Sequence, residues 1–276
     1  MFITASWRAA ATWALRRLEP ARGGRPPFQA HAGRAGRLRT QESTEHMLSQ
    51  LGQDYFVLEV LAGMRGGFFL DSGAADGLQS SNTYLLESSF DWTGICIEPD
   101  DTFFARLVKN RSCQCLNCCL YDREGIVEFV EAKTLGGIFE EYHPALLQHA
   151  ITTFKVPEDV TGKPKTVHKP ARTVRSVLRQ CAAPAVIDYW SLDTEGSELA
   201  ILKSFPFDEY SFRVLTVEHN RFAVREEIKR FLEGHGYWRI KEMGIDDCYV
   251  NGTIPAAAGR AWRSLSWKHL RNENGV

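Results

Sequence analysis

Residues 68–77, FFLDSGAADG, constrain this chain more than any other stretch. Phe68, Phe69 and Leu70 make a continuous apolar run of the kind a strand buried on both faces requires. The run gives way at once to Asp71, Gly73, Asp76 and Gly77. Small residues directly after a buried strand let the backbone approach something closely, and a nucleotide, a metal or the next helix would each satisfy that.

Strand-like and helix-like segments alternate after it. Residues 79–89 read as a helix opened by Ser80, Ser81 and Asn82, all good N-cap types. TGICIEP (93–99) is a second strand stopped by Pro99, and DTFFARLVKN (101–110) carries Phe103, Phe104, Leu107 and Val108 at helical spacing. CQCLNCCLY (113–121) reads as a third strand and EGIVEFVEA (124–132) as a hairpin arm. Residues 133–170 break the rhythm: they are polar and without a strong period, apart from a helical patch around 143–151, and a connection this long is functional or disordered. Then come a strand (AVIDYWSLD, 185–193), a helix (SELAILKSF, 197–205), a strand (RVLTVEHN, 213–220), a helix (222–235) and a closing hairpin from YWRIKEMG and DDCYVN. This order predicts an α/β fold, a doubly wound, mostly parallel sheet covered by helices and finished by a C-terminal antiparallel hairpin.

Composition narrows the function. A formal charge of -1 argues against nucleic acid as the main partner, and no apolar run reaches the ~18–20 residues of a membrane span. The charge is uneven: residues 1–41 hold eight arginines and one acid, leaving the remainder acidic. Residues 1–42 therefore lie outside the fold, either as a transit peptide for a mitochondrion or plastid or as translated sequence upstream of a start at Met47, in which case the protein is cytoplasmic. Residues 43–255 form the domain, and 256–276 a tail or docking helix. Five of the seven cysteines fall between 96 and 119. Cys113, Cys115, Cys118 and Cys119 lack the two separated knuckles of a zinc site and sit where a buried strand is expected, so packing is the favoured role and no metal ligand is assigned.

In open α/β sheets the ligand lies beyond the carboxyl ends of the strands. The Gly73–Gly77 turn follows the first strand, and Glu98 ends the second, where a carboxylate accepts two hydrogen bonds from a ribose diol. The glycines do not match G-x-G-x-x-G, and Asp71 and Asp76 would repel a pyrophosphate. A ligand with an ammonium and a sulfonium, such as S-adenosylmethionine, suits them better; the plain alternative is that Asp76 and Gly77 only make a tight turn. At the same rim a later strand ends in Asp193, Thr194 and Glu195, which would position substrate, bind a cation or take a proton, unless Glu195 and Ser197 only begin the next helix. The strand after that brings Glu218, His219 and Asn220.

Several ordered blocks then resemble one family. SQLGQDYFVLEVL, GGFFLDSGAADGLQSSNTYLLE, WTGICIEPD, KNRSCQCLNCCLYD, DYWSLDTEGSELAILKSFPF, LTVEHN and GYWRI…GIDDCYVN follow the pattern of FkbM-type methyltransferases from about Ser49 to Asn251. The resemblance implies a class I methyltransferase fold, Rossmann-like with a seven-stranded sheet, S-adenosylmethionine as donor and O-methylation of a hydroxyl on a small molecule, glycan or lipid. It implies cofactor contacts from Asp71, Gly73, Asp76, Gly77, Ser81, Asn82 and Glu98, with Asn117 and Asp122 flanking the adenine. Asp193 and Glu195 match the family's Asp-x-Glu-Gly block, and LGGIF (135–139) its substrate-side segment, which makes 133–170 a candidate lid. The candidate catalytic residues are Asp193, His219 and Glu195; Mg²⁺ held by Asp193 is the variant of a side-chain base. A catalytically silent binding module and an NAD(P)-dependent oxidoreductase are the rival functions, the second weakened by the missing pyrophosphate spacing. Oligomeric state is not legible.

Overall fold

The computed structural model describes residues 49–252; the basic leader and the C-terminal tail lie outside them. The described residues form seven helices and eleven strands. In order these are α1 (Gln53–Val60), β1 (Phe68–Ser72), α2 (Tyr84–Phe90), β2 (Thr93–Ile97), α3 (Asp101–Asn110), β3 (Gln114–Leu116), β4 (Cys119–Leu120), β5 (Gly125–Val130), β6 (Gly137–Ile138), α4 (Pro144–Phe154), β7 (Thr166–Arg172), α5 (Val174–Gln180), β8 (Val186–Leu192), α6 (Glu198–Ser204), β9 (Ser211–Glu218), α7 (Val224–Gly234), β10 (Tyr237–Met243) and β11 (Asp246–Asn251).

Seven strands make the expected sheet, in the order β10-β11-β9-β8-β1-β2-β3. Pairing is parallel from β9 to β3, and β11 and β10 close the sheet antiparallel. The strand order reverses between β1 and β8, so the carboxyl ends of β1, β2 and β8 flank the crevice where α/β sheets bind ligands. Alternate strand residues build one core: Leu70, Ile95, Trp190 and Leu215 pack with Val177 and Leu178 of α5, Ile201 and Leu202 of α6, and Ile228 and Leu232 of α7. On the neighbouring strand positions, Phe69, Cys96, Tyr189 and Val214 are also fully buried, as strands covered on both sides require.

Three segments depart from expectation. The helix predicted over 79–89 begins only at Tyr84, because side chains fold the preceding loop into turns. Asp76 Oδ1 accepts the N–H groups of Leu78 and Gln79, Ser81 Oγ accepts that of Tyr84, and Ser80 takes φ 59°. The single strand predicted over 113–121 is two: β3 ends the large sheet, while β4 begins a second, four-stranded sheet of order β4-β7-β5-β6. Asn117 sits at the break, where its Nδ2 donates to the carbonyl of Glu98 at 3.1 Å.

The third departure is in 133–170, which is largely ordered. It holds β6, α4 and the start of β7, and β7 pairs antiparallel with β5. The helical patch around 143–151 is α4, started by His143, whose Nδ1 accepts the N–H of Ala145, and by Pro144 in the first turn. Strand β7 (TVHKPAR) escaped the pattern because one of its inward residues is Lys169, buried and paired with Asp101 at 2.7 Å. Helix α5 was also unforeseen, although Thr173 caps it and Val174, Val177 and Leu178 show its buried face.

Candidate functional site

A cavity of about 420 Å³ opens at the carboxyl ends of β1, β2 and β8, within the usual size range of small-molecule sites. Gly73 follows β1 with φ 87°, and a Cβ placed on it would lie 1.9 Å from the carbonyl oxygen of Asp193. The turn after β1 and the end of β8 therefore touch backbone to backbone, a contact only glycine permits. The N–H groups of Gly73 and Ala74 both reach the carbonyl of Ile97 at 3.0 Å, and the N–H of Asp193 reaches that of Ser72 at 3.1 Å. Three strand ends are thus pinned together at the floor of the cavity.

Glu98 stands just beyond β2, buried, with Oε2 accepting the N–H of Ala75 and Oε1 that of Asp100, both at 2.8 Å. Burial pushes its pKa up to about 7, against the lowering effect of those two hydrogen bonds. Each oxygen keeps a lone pair for a further donor. Asp71 is held from behind: its Oδ2 accepts the Thr83 hydroxyl at 2.5 Å, and Arg111 donates to the same hydroxyl at 2.9 Å. Burial raises Asp71 to about 6, with the Arg111 charge opposing. Arg111 is itself buried, ion-paired with Glu87 and set 5.2 Å from the centre of the Phe69 ring. Sequence reasoning passed over Arg111; Thr83 and Glu87, facing it across the turn, give it no local signature.

On the opposite wall, Asp193 and Glu195 from the end of β8 meet Glu218 from the end of β9. One carboxylate oxygen of each lies within 4.8 Å of the others. Burial, then the charge of the neighbouring acids, drives all three pKa values upward, Glu195 to about 8. Glu218 Oε2 is buried without a hydrogen-bond partner. Glu198 is spoken for, since it accepts from Thr194 and Gly196 in its own turn.

The cavity gathers Asp71, Gly73, Asp76, Ser81, Asn82, Glu98, Asp193 and Glu195, together with Glu218, Asn220 and the Leu135–Ile138 stretch. The small Gly137 fits where a Cβ would stand 3.2 Å from the Glu195 carbonyl. Gly77 is behind the wall, against Leu107 and Arg111. Four expected contacts thus divide differently. Asn117 fixes the backbone of Glu98 rather than lining the cavity. Asp122 and His219 line a second cavity of about 760 Å³, together with Tyr142, His143, Lys203 and Phe222. His219 accepts the Arg221 N–H through Nδ1 and turns Nε2 toward Asp247 at 3.7 Å, while burial lowers its pKa. Of these two neighbours only Glu218 reaches the first cavity; His219, one residue past the end of β9, borders the second cavity alone. Glu218 and Asn220 border both cavities.

The cysteines do not converge. Cys118 belongs to the main core and Cys119 to the cluster on the second sheet, while Cys113 approaches Cys96 at 3.5 Å. Among the described residues, no helix is long and apolar enough to cross a membrane.

The solved structures that this chain resembles include several described as methyltransferases. A precorrin-6y C5,15-methyltransferase from Geobacter metallireducens is 12% identical with a TM-score of 0.36, the alignment covering 75% of this chain and 91% of that one. Human methyltransferase 10 domain containing protein is 13% identical with a TM-score of 0.37, over 73% and 81%. The N-terminal domain of human METTL16 is 12% identical with a TM-score of 0.35, over 72% and 67%. None of the curated proteins matches. The model of the methyltransferase FkbM domain matches residues 71–238, from the acid of β1 to the start of β10 and well over half of the chain. The chain belongs to the FkbM methyltransferase family.

Proposed function

We propose that this chain is an S-adenosylmethionine-dependent O-methyltransferase whose acceptor is a hydroxyl on a small molecule, sugar or lipid. Family and fold imply that cofactor, and the donor set of the first cavity fits it. The observation that carries the proposal is Glu98: a buried carboxylate fixed by two backbone N–H groups, bordering a cavity entered by the Gly73 turn. It offers a ribose diol two oriented acceptors without a side-chain rearrangement.

S-adenosylmethionine, when bound, supplies a methyl group made electrophilic by its sulfonium. The chain's part is alignment and exclusion of water. Asp71, Asp76 and the acidic wall give the cavity an anionic lining suited to a cationic ligand. Asp193, Glu195 and Glu218 line the first cavity and Glu218 also borders the second, so an acceptor entering by the second cavity would present its hydroxyl beside them; the member of the trio that is ionised takes the proton, and its raised pKa makes it the stronger base. His219, turned toward Asp247, is not the base in this scheme.

Calorimetric titration of the full chain with S-adenosylhomocysteine, and separately with NAD, tests the proposal. Binding of the first alone is expected, weakened in Glu98→Ala by ~10- to 100-fold, the equivalent of ~1.5–3 kcal/mol for a hydrogen bond to a charged group. Binding of NAD alone, or unchanged affinity in a folded Glu98→Ala chain, would refute it.

A further inference from the structure

The acidic wall poses a problem of charge. Asp193, Glu195 and Glu218 bring one oxygen each within 4.8 Å of the others, and no ion pair among the described residues reaches them. The lysine that borders the same cavity, Lys133, places its ammonium 5.3 Å from the centre of the Phe154 ring. The amide of Asn220 donates to Glu195 Oε2 at 3.4 Å, a weak neutral contact. Glu218 is only 4% exposed and borders both cavities; its carboxyl contacts those of Asp193 and Glu195, and its Oε2 has no N–H donor. Buried carboxyls that face chiefly one another must share protons or bind a cation, and one divalent ion satisfies all three.

We infer that Asp193, Glu195 and Glu218 hold a single divalent cation of the Mg²⁺ or Mn²⁺ class, which orients the acceptor's oxygen at the junction of the two cavities. Dimensions and chemistry agree. Hard cations take oxygen ligands at ~2.0–2.6 Å, so two ligands of one ion stand at most ~5 Å apart, and the three carboxyls lie close enough together for one ion to reach all of them. An all-carboxylate set favours Mg²⁺, Mn²⁺ or Ca²⁺ over zinc or copper. Three carboxylates around one divalent ion also leave a net negative charge, so the ion does not repel a sulfonium in the adjoining cavity. Glu195 and Asp193 face the first cavity while Glu218 faces both, which leaves the open side of the ion toward the second. The ion's role in orienting an acceptor rests on the methyltransferase proposal; its binding does not.

The test is a Mn²⁺ titration of the chelator-treated full chain, read by electron paramagnetic resonance, with and without S-adenosylhomocysteine. One Mn²⁺ per chain is expected, displaced by Mg²⁺, raising the melting temperature. Affinity should fall at least tenfold in Asp193→Asn, Glu195→Gln and Glu218→Gln, each verified as folded by its melting curve, and stay unchanged in Asp122→Asn in the second cavity. No Mn²⁺ bound by a chain that still binds S-adenosylhomocysteine would overturn this inference and leave the cofactor proposal standing. Equal Mn²⁺ affinity in all three folded carboxylate variants would overturn it as well. Mn²⁺ binding with the expected losses in a chain that ignores S-adenosylhomocysteine would sustain the ion and refute the cofactor.

Discussion

Gly73→Ala tests how tightly the cavity floor is pinned. The substitution adds one methyl group, yet its Cβ would stand 1.9 Å from the carbonyl oxygen of Asp193, where ordinary contact begins at 3.4 Å. The obstacle is backbone, so no side chain can swing away; the ends of β1 and β8 must part by roughly 1.5 Å. That separation stretches the bond from Asp193 N–H to Ser72 and strains those from Gly73 and Ala74 to Ile97. A left-handed conformation costs alanine ~1–2 kcal/mol, and a buried hydrogen bond lost without replacement ~1–3 kcal/mol. Together these predict ~2–5 kcal/mol, a large share of the ~5–15 kcal/mol that holds a domain folded. Urea unfolding of the full chain should show an earlier midpoint at unchanged slope, and calorimetry a melting temperature lower by ~4–20 °C. Gly77→Ala is the control: its φ of 76° carries the same conformational cost, but its Cβ would meet side chains of Leu107 and Arg111 at 2.6 and 2.7 Å rather than backbone, and side chains yield more cheaply than two pinned strand ends. A loss below ~1 kcal/mol for Gly73→Ala, or a loss no larger than that of Gly77→Ala, would refute the argument.

Arg111→Met should destabilise by ~3–5 kcal/mol, because it strands the partly buried Glu87 and the buried Asp71 near an apolar side chain; urea unfolding should show part of the loss recovered when Glu87→Gln is added. Glu98 makes binding depend on pH: its folded pKa of about 7 lies above its ordinary 4.5, so it is largely protonated below that value. Affinity for S-adenosylhomocysteine should therefore rise between pH 6 and 8, and this rise should vanish in Glu98→Gln. For the free chain the sign is opposite. Between 4.5 and about 7 the folded state holds a proton that the unfolded state has released, so Glu98's contribution to stability falls as pH rises through that window; a pH series of melts comparing the parent with Glu98→Gln measures it.

What the sequence made legible follows burial. Strands β1, β2, β8 and β9 lie in the middle of the large sheet, so their sequences are predominantly apolar and each ends near a carboxylate or glycine at the crevice. Glu98 was readable because it is the first charged residue after an apolar run, and Asp193 because it follows the apolar end of β8, whose one internal acid, Asp188, is paired with Arg213. The second sheet was not readable, because it is built from two-residue strands and from a strand whose inward face includes Lys169. Its stability comes from the ion pair with Asp101 and from packing around Phe129 and Ile138, neither of which leaves a local period. His219, expected beside Asp193 and Glu195 as a candidate catalytic residue, borders the second cavity rather than the first. Asp122 belongs instead to the second cavity, beyond β4.

The distribution of charge argues for one ligand class over its rival. A dinucleotide would have to place a pyrophosphate, two negative charges, against the turn after β1. That turn carries Asp76 and stands between Asp71 and Glu98, while the acidic wall closes the far side. Lys133, the basic side chain bordering the cavity, is drawn toward Phe154, and Arg111 is committed behind the wall to Glu87 and Thr83. No helix N-terminus compensates, because α2 begins only at Tyr84, after a loop whose N–H groups are already taken by Asp76 and Ser81. The donors that make a phosphate site are thus consumed in building the turn itself. A ligand with a diol, an ammonium and a sulfonium needs acceptors, and acceptors are what this turn leaves free. The same imbalance reaches across to Asp193, Glu195 and Glu218: in the proposed reaction, a lining this rich in acids would favour the cationic donor over the neutral thioether that remains after transfer, and so favour release of the product.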